Sequence, residues 1–191
     1  MGTIKSGERK LQILQALAQM LEEPHGEKIT TAALARRLAI SEAALYRHFA
    51  SKAQMFEGLI EFIETSVFGV INQITEREES GLLQAQSVSM LLLNFAERNP
   101  GMTRVMIGDA LVNEDSRLQL RMNQFFDRIE LTLRQCLRVA ISQGRAPEEM
   151  ATVRSNLIMS YLIGKLFRFV KTQFREKPTN NMPEQISFML S

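Results

Sequence analysis

The sequence predicts an all-α protein, with a three-helix helix-turn-helix head over residues 1–52 and a helical body over residues 53–191. Three observations carry this. Apolar residues recur at helical spacing along nearly the whole chain, and no segment sustains period-two alternation with β-branched enrichment. Two short helical patterns near the N-terminus are joined by only three residues, Ala39-Ile40-Ser41. Charge is also divided unevenly. Residues 1–52 hold eight basic against five acidic side chains, whereas the remaining 139 hold fifteen against sixteen. The basic surplus sits where a polyanion would be met, and the body is balanced.

Composition bounds the rest. A chain of 191 residues, 45% hydrophobic and 23% charged, is long enough for a small head and a larger helical body. It has no run of eighteen uncharged apolar residues, which excludes a membrane span. The first fifteen residues mix Lys5, Glu8, Arg9 and Lys10 with scattered apolar ones, unlike a signal peptide. The single cysteine, Cys136, excludes an intrachain disulfide and fits a reducing cytoplasm. The opening Met1-Gly-Thr-Ile-Lys-Ser6 matches a myristoylation pattern, but that short pattern has many accidental matches and nothing else here points to a membrane.

Leu11, Leu14, Leu17, Ala18 and Leu21 make the face of a first helix, and Glu23-Pro24-His25-Gly26 stops it. Thr30 or Thr31 caps a second helix with Leu34, Ala35 and Leu38 inward. Ser41 caps a third that runs to about Phe49. Ser51-Lys52-Ala53-Gln54 is a capping box opening a long helix, with Phe56, Leu59, Ile60, Ile63, Val67, Val70, Ile71 and Ile74 inward. After a charged break over 76–81 comes a Leu-rich helix over 82–98, stopped by Asn99-Pro100-Gly101 because proline lacks a donor and glycine permits the turn. A short helix over 101–108 follows. Segment 115–143 carries Leu118, Met122, Phe125, Phe126, Ile129, Leu133, Cys136, Leu137 and Ala140, a stripe held for over seven turns. Gly144 and Pro147 separate it from a last long helix over about 148–174, with Val153, Leu157, Ile158, Tyr161, Leu162, Phe167, Val170 and Phe174. Pro178 ends that helix, and a short one over 183–191 closes the chain.

The major groove of DNA admits one α-helix, which suits the third helix of the head. At 100° per residue, Leu45 and Phe49 face the head's own core. The opposite side presents Ala43 and Arg47, flanked by Ala44 and Tyr46. Arg47 suits guanine edges or a phosphate, and Ala43 is small enough to touch a thymine methyl. The Tyr46 hydroxyl can reach a phosphate past a packed ring. Lys52 falls in the first turn of the next helix, where free N–H groups attract an anion. Thr30 and Thr31 stand at the start of the second helix, placed for hydroxyl contacts to the DNA backbone. A plainer alternative stays open, with Tyr46 and His48 as packing residues and Lys52 as a solvated charge.

Ile29-Thr30-Thr31-Ala-Ala-Leu-Ala35, followed by Ser41-Glu-Ala-Ala-Leu-Tyr-Arg-His-Phe-Ala-Ser-Lys52, resembles the signature of the TetR family of regulators. The resemblance implies a TetR-type head and a homodimer joined through the last two long helices of the body. It also adds His48 and Ala44 to the expected DNA-contacting set. Family members usually have glycine where this chain has Ala39, and a left-handed backbone there costs about 1 kcal/mol without it.

The body narrows the resemblance. Met55 to Glu64, Leu91 to Arg104 and Arg121 to Glu130 are similar to the nucleoid occlusion factors of that family, over roughly residues 11–145 and fading afterwards. Such proteins sit on palindromic chromosomal DNA, one or more dimers per site. There they bind the C-terminal tail of the tubulin-like division protein FtsZ, blocking Z-ring and septum assembly over the nucleoid. The resemblance thus implies a cytoplasmic, nucleoid-associated protein. An acidic, partly apolar tail wants an apolar groove with a basic rim. Phe62 and Leu91 would line it, with Arg98 and Asn99 at its end. Three positions depart from the pattern: Val70 for arginine, Asn94 for glycine, and Ala33 for a DNA-contacting lysine. Phe62 and Leu91 also suit ordinary core, and Arg98 and Asn99 suit a helix cap.

The 115–143 stripe and the apolar 153–170 segment fit a four-helix dimer interface, two helices per subunit. Cys136 reads as core, and the eleven methionines as core filling. Enzyme chemistry, cofactors and metals find no support. The only histidines are His25 and His48, and neither a phosphate-cradling glycine motif nor metal-ligand spacing is present. Two other functions remain open: a TetR-type repressor released by a small effector, and an adaptor that binds only protein.

Overall fold

The computed structural model describes residues 6–23, 29–146 and 150–191. The myristoylation-type opening, the Pro24-His25-Gly26 stop and Pro147 lie outside the described residues. The elements are α1 (Ser6–Glu22), α2 (Thr31–Arg37), α3 (Glu42–Tyr46), α4 (Lys52–Arg77), α5 (Gly81–Arg98), α6 (Pro100–Met106), a 3-10 turn (Asp109–Leu111), α7 (Ser116–Ser142), α8 (Ala151–Lys171) and α9 (Met182–Leu190). No strand occurs among the described residues.

Side-chain caps set the starts in the head. Thr30 Oγ1 accepts from Ala33 N (3.1 Å) and Ser41 Oγ from Ala44 N (3.1 Å). Ser51 Oγ accepts from Gln54 N (3.2 Å). The capping box at α4 is displaced by one residue, since the Gln54 amide oxygen accepts from Ala50 N (2.9 Å) and not from Ser51 N. Helix α3 is shorter than expected. It ends as α-helix at Tyr46, and a turn in which His48 and Phe49 N–H both reach Leu45 O carries the chain on.

The α2–α3 turn is a Schellman motif, with Ile40 N donating to Ala35 O (3.0 Å) and Ala39 N to Arg36 O (3.1 Å). Ala39 takes the left-handed position itself, at φ 52°. Two other helices end in the same way. Gly144 (φ 69°) closes α7, and Gln173 (φ 53°) closes α8, where Phe174 N donates to Phe169 O and the two rings meet 5.1 Å apart. Helix α8 therefore stops at Lys171, about three residues before the expected end, without any glycine to mark it.

Two expected faces are revised. On α1 the buried residues are Ile13, Ala16, Leu17, Ala18, Met20 and Leu21, while Leu11 is 46% exposed. The buried arc is wide because α1 packs on α2 and α4 on one side and on α6 on the other. On α4, Phe56, Leu59, Ile60, Ile63, Val67 and Ile71 are buried as expected, but Val70 faces outward, 40% exposed.

The body core lies between α4, α5, α7 and α8. Phe125 is fully buried and meets Phe68 edge-on at 5.4 Å. Two glycines let backbones touch. A Cβ on Gly81 would fall 2.3 Å from Ala140 N on α7, and one on Gly101 would fall 2.1 Å from Ala18 O on α1. The second contact docks the head onto the body.

Candidate nucleic-acid interface

Helix α3 and the turn after it bury Leu45 and Phe49 under the head and turn most of the other side chains outward. Ala43, Tyr46 and Arg47 are exposed, with Ala44 and His48 half-buried. Tyr46 is steered by its neighbours: its hydroxyl donates to Thr31 Oγ1 (3.3 Å), and the Thr31 hydroxyl donates to the Glu42 carboxylate (2.7 Å). The two hydroxyls expected to meet DNA thus lie side by side across the two helices, with Thr30 adjacent as the α2 cap. Ala33 is half-buried and packs against the core.

Lys52 differs from expectation. It opens α4, but its ammonium is paired with the Glu114 carboxylate from the body and lies 5.6 Å from the centre of the Phe56 ring. Arg37 is likewise paired with Glu23. Arg36 and Arg47 are exposed and have no ion-pair partner among the described residues, which leaves them available for phosphate. Sequence reading passed over Glu42 and Glu114. Glu42, in the first turn of α3 beside the Ser41 cap, was open to notice. Glu114 meets Lys52 across 62 residues and carries no local signal.

The proposed partner groove divides. Phe62 is 42% exposed and so is not core, whereas Leu91 packs partly buried against the core. Arg98 is exposed at the end of α5. Asn99 is the C-cap of α5, its amide donating to Phe95 O (2.7 Å). Asn94 donates to Met90 O of its own helix (2.8 Å). The Arg128 guanidinium lies 3.8 Å over the Phe68 ring, and Arg121 holds Glu64 at 2.6 Å, so α7 places two cations along α4.

The expectation that the α7 stripe forms a dimer surface is corrected. The long stripe of α7 is this chain's own core: Leu118, Met122, Phe125, Ile129, Leu133, Cys136, Leu137 and Ala140 are all buried. Burial raises the Cys136 thiol to about 11. What remains outside is Leu120 and Leu131 on α7, and Val153, Leu157 and Phe167 on α8, each 50% exposed or more. At 100° per residue Val153, Leu157, Ser160, Gly164 and Phe167 share one face of α8.

Residues 13–59 match the model of the bacterial regulatory proteins of the tetR family, and residues 79–191 match the SlmA-like tetracyclin repressor-like C-terminal domain. The chain is 49% identical over 182 residues to the nucleoid occlusion factor SlmA of Marinomonas sp. strain MWYL1, covering 95% of this chain and 92% of that one. The chain belongs to the SlmA nucleoid occlusion factors of the TetR family. It is also 48% identical over 186 residues to the SlmA of Aliivibrio fischeri strain MJ11, at 96% and 95% coverage. The likeness runs to the C-terminus and does not fade at residue 145. Among solved structures, the TetR regulator PfmR of Thermus thermophilus superposes with a TM-score of 0.78 at 20% identity, covering 94% of this chain and 97% of that one. A TetR regulator of Haloarcula marismortui gives 0.79 at 16%, with 96% and 97% coverage. Both share the fold. No described helix is long and apolar enough to cross a membrane.

Proposed function

We propose that this protein occludes the nucleoid by binding palindromic chromosomal DNA as a homodimer and, from that scaffold, capturing the C-terminal tail of FtsZ, so that no septum assembles over the chromosome. The observation that carries the reading is likeness to SlmA over 95% of the chain, body included, which a regulator answering a small effector has no reason to share.

In this reading α3 enters the major groove. Arg47 reads a guanine edge or a phosphate, and Ala43 and Ala44 face bases. Thr30, Thr31, Tyr46, His48 and Lys52 contact the phosphate backbone and fix the register. Two copies join through the exposed faces of α7 and α8 in a four-helix arrangement, which sets two heads on two half-sites. The FtsZ tail lies along α4 and α5, its apolar side chains on Phe62 and the exposed edge of Leu91. Arg98 and Asn99 receive its acidic end. Val70, outward on the same helix, gives this groove an apolar rim where relatives would offer a cation. The attraction there is therefore less dependent on salt than a fully basic rim would make it. The protein works in the cytoplasm, on the nucleoid.

The test is fluorescence anisotropy of a labelled FtsZ tail peptide, with and without a DNA site. Saturable binding that tightens on DNA is expected, and Phe62→Ala or Arg98→Ala should weaken it about tenfold or more while leaving DNA affinity unchanged. Absence of tail binding in both conditions would refute the FtsZ assignment. Unchanged tail affinity in both variants would refute the groove alone.

A further inference from the structure

The Lys52–Glu114 pair joins the DNA-facing head to the body, and it is held from both sides. Of its two side chains, only 24% of Lys52 and 16% of Glu114 is exposed. Glu114 leaves the body between two fixed points. Just before it, Asp109 binds Arg104 (2.8 Å) and Lys171 (2.7 Å), and just after it, Asp115 caps α7 through Arg117 N (3.0 Å). Burial pushes the Asp109 carboxyl up, but Lys171 and Arg104 outweigh it and hold the group below its usual range, so this clasp stays charged. On the head side, Arg104 also donates to Leu21 O at the end of α1 (3.1 Å), and the backbones of Gly101 and Ala18 touch. The pair lines a cleft of about 280 Å³ between head and body.

Lys52 cannot fully serve both Glu114 and a phosphate. A carboxylate holding the ammonium lowers the positive potential that a phosphate would meet at the start of α4. We propose that Glu114 is an affinity-setting residue. It competes with DNA phosphate for Lys52, so that each head yields Lys52 to DNA only by releasing the body's 112–115 segment. The proposal rests on the DNA-binding reading of the head. It adds a cost to every DNA complex and makes the 112–115 segment responsive to whether DNA is bound.

The experiment compares full-length wild type, Glu114→Gln, Lys52→Met and the double variant. It uses anisotropy on one palindromic duplex across a salt series. Glu114→Gln should tighten binding by about two- to fivefold per head, the range of a part-exposed ion pair. Lys52→Met should weaken binding and reduce the slope of log affinity against log salt by about one per head. In the Lys52→Met background, Glu114→Gln should change little. If glutamine disturbs the loop, Glu114→Asp withdraws the carboxylate by one methylene and should also tighten binding. Equal or weaker binding by a folded Glu114→Gln, or an equal gain with and without Lys52, overturns the proposal and leaves the DNA reading standing. Failure of the wild type to bind any duplex would instead overturn the DNA reading.

Discussion

Replacing Ala39 with glycine should stabilise the protein, and the size of the gain follows from the turn. Ala39 occupies the left-handed position of the Schellman motif after α2, at φ 52°. A residue with a Cβ pays about 1–2 kcal/mol there. Glycine returns part of that gain, because its unfolded chain is freer by about 0.4–1 kcal/mol. The Ala39 methyl is exposed, so no packing is lost. The net expectation is a gain of about 0.5–1 kcal/mol, or about 1–4 °C in Tm for a chain of this size. Circular dichroism melting of the full-length protein measures it. Gly144→Ala is the reverse experiment. It places a Cβ at φ 69° with nothing within 4 Å to touch it, so only backbone strain and chain entropy differ. It should lower Tm by a similar amount. A fall in Tm for Ala39→Gly, with the expected fall for Gly144→Ala, would refute the reasoning, because it would mean that the Ala39 methyl contributes more than its backbone costs.

Arg47→Ala should weaken duplex binding about tenfold or more while sedimentation still shows a dimer; a loss of dimer would remove α3 from the DNA face. Leu157→Glu puts a charge in the middle of the exposed α8 face, where the side chain is 54% exposed in one chain, and should give a folded monomer with weakened DNA binding. An intact dimer in sedimentation at micromolar concentration would move the interface elsewhere. Burial raises the Cys136 thiol to about 11, above its unfolded value near 9. The neutral thiol therefore contributes stability that is whole below pH 9 and is lost as pH rises from about 9 through 11. Native protein at pH 8 should resist iodoacetamide and label fully in denaturant, and stoichiometric native labelling would contradict that burial.

The head was legible because its boundaries are written in local chemistry. Thr30, Ser41 and Ser51 cap their helices through their own side chains, and a cap needs only residues three positions away. The same locality explains the misses. Helix α8 ends in a Schellman motif built on Gln173 and a Phe169–Phe174 contact, so no glycine announces it. Leu11 and Val70 lie on helical stripes, yet a stripe does not say how wide an arc the neighbours will cover. Helix α1 packs against α2, α4 and α6, and α4 against α1, α5, α6 and α7, and only that packing decides which edge is left in water.

The binding surfaces were harder to read, for a related reason. The strongest apolar stripe, on α7, suggested an interface but belongs to the chain's own core, because α7 packs against α4, α5 and α8. What the core leaves exposed on α8 is the weaker pattern of Val153, Leu157 and Phe167, broken by Ser160 and Gly164, and the proposed interface rests on it. Glu114, between Asn113 and Asp115, reads as a solvated loop charge until the fold sets it against Lys52.

The fold also brings the proposed surfaces together at one corner. Arg98 and Asn99 end α5, and Gly101, two residues on, backs onto Ala18 of the head. The Thr103 hydroxyl, fully buried, lies within hydrogen-bond distance of both Ala96 O (2.9 Å) and Asn99 O (3.0 Å), which ties the end of α5 to the start of α6. Glu22, at the end of α1, accepts from the Gly101 backbone, and burial raises its carboxyl. A tail held by Arg98 and Asn99 would therefore press on the same turn that carries α1, with no flexible linker between them. Under the proposed function, that short path would couple a tail held at the end of α5 to the head through packed backbone rather than through a linker between independent domains.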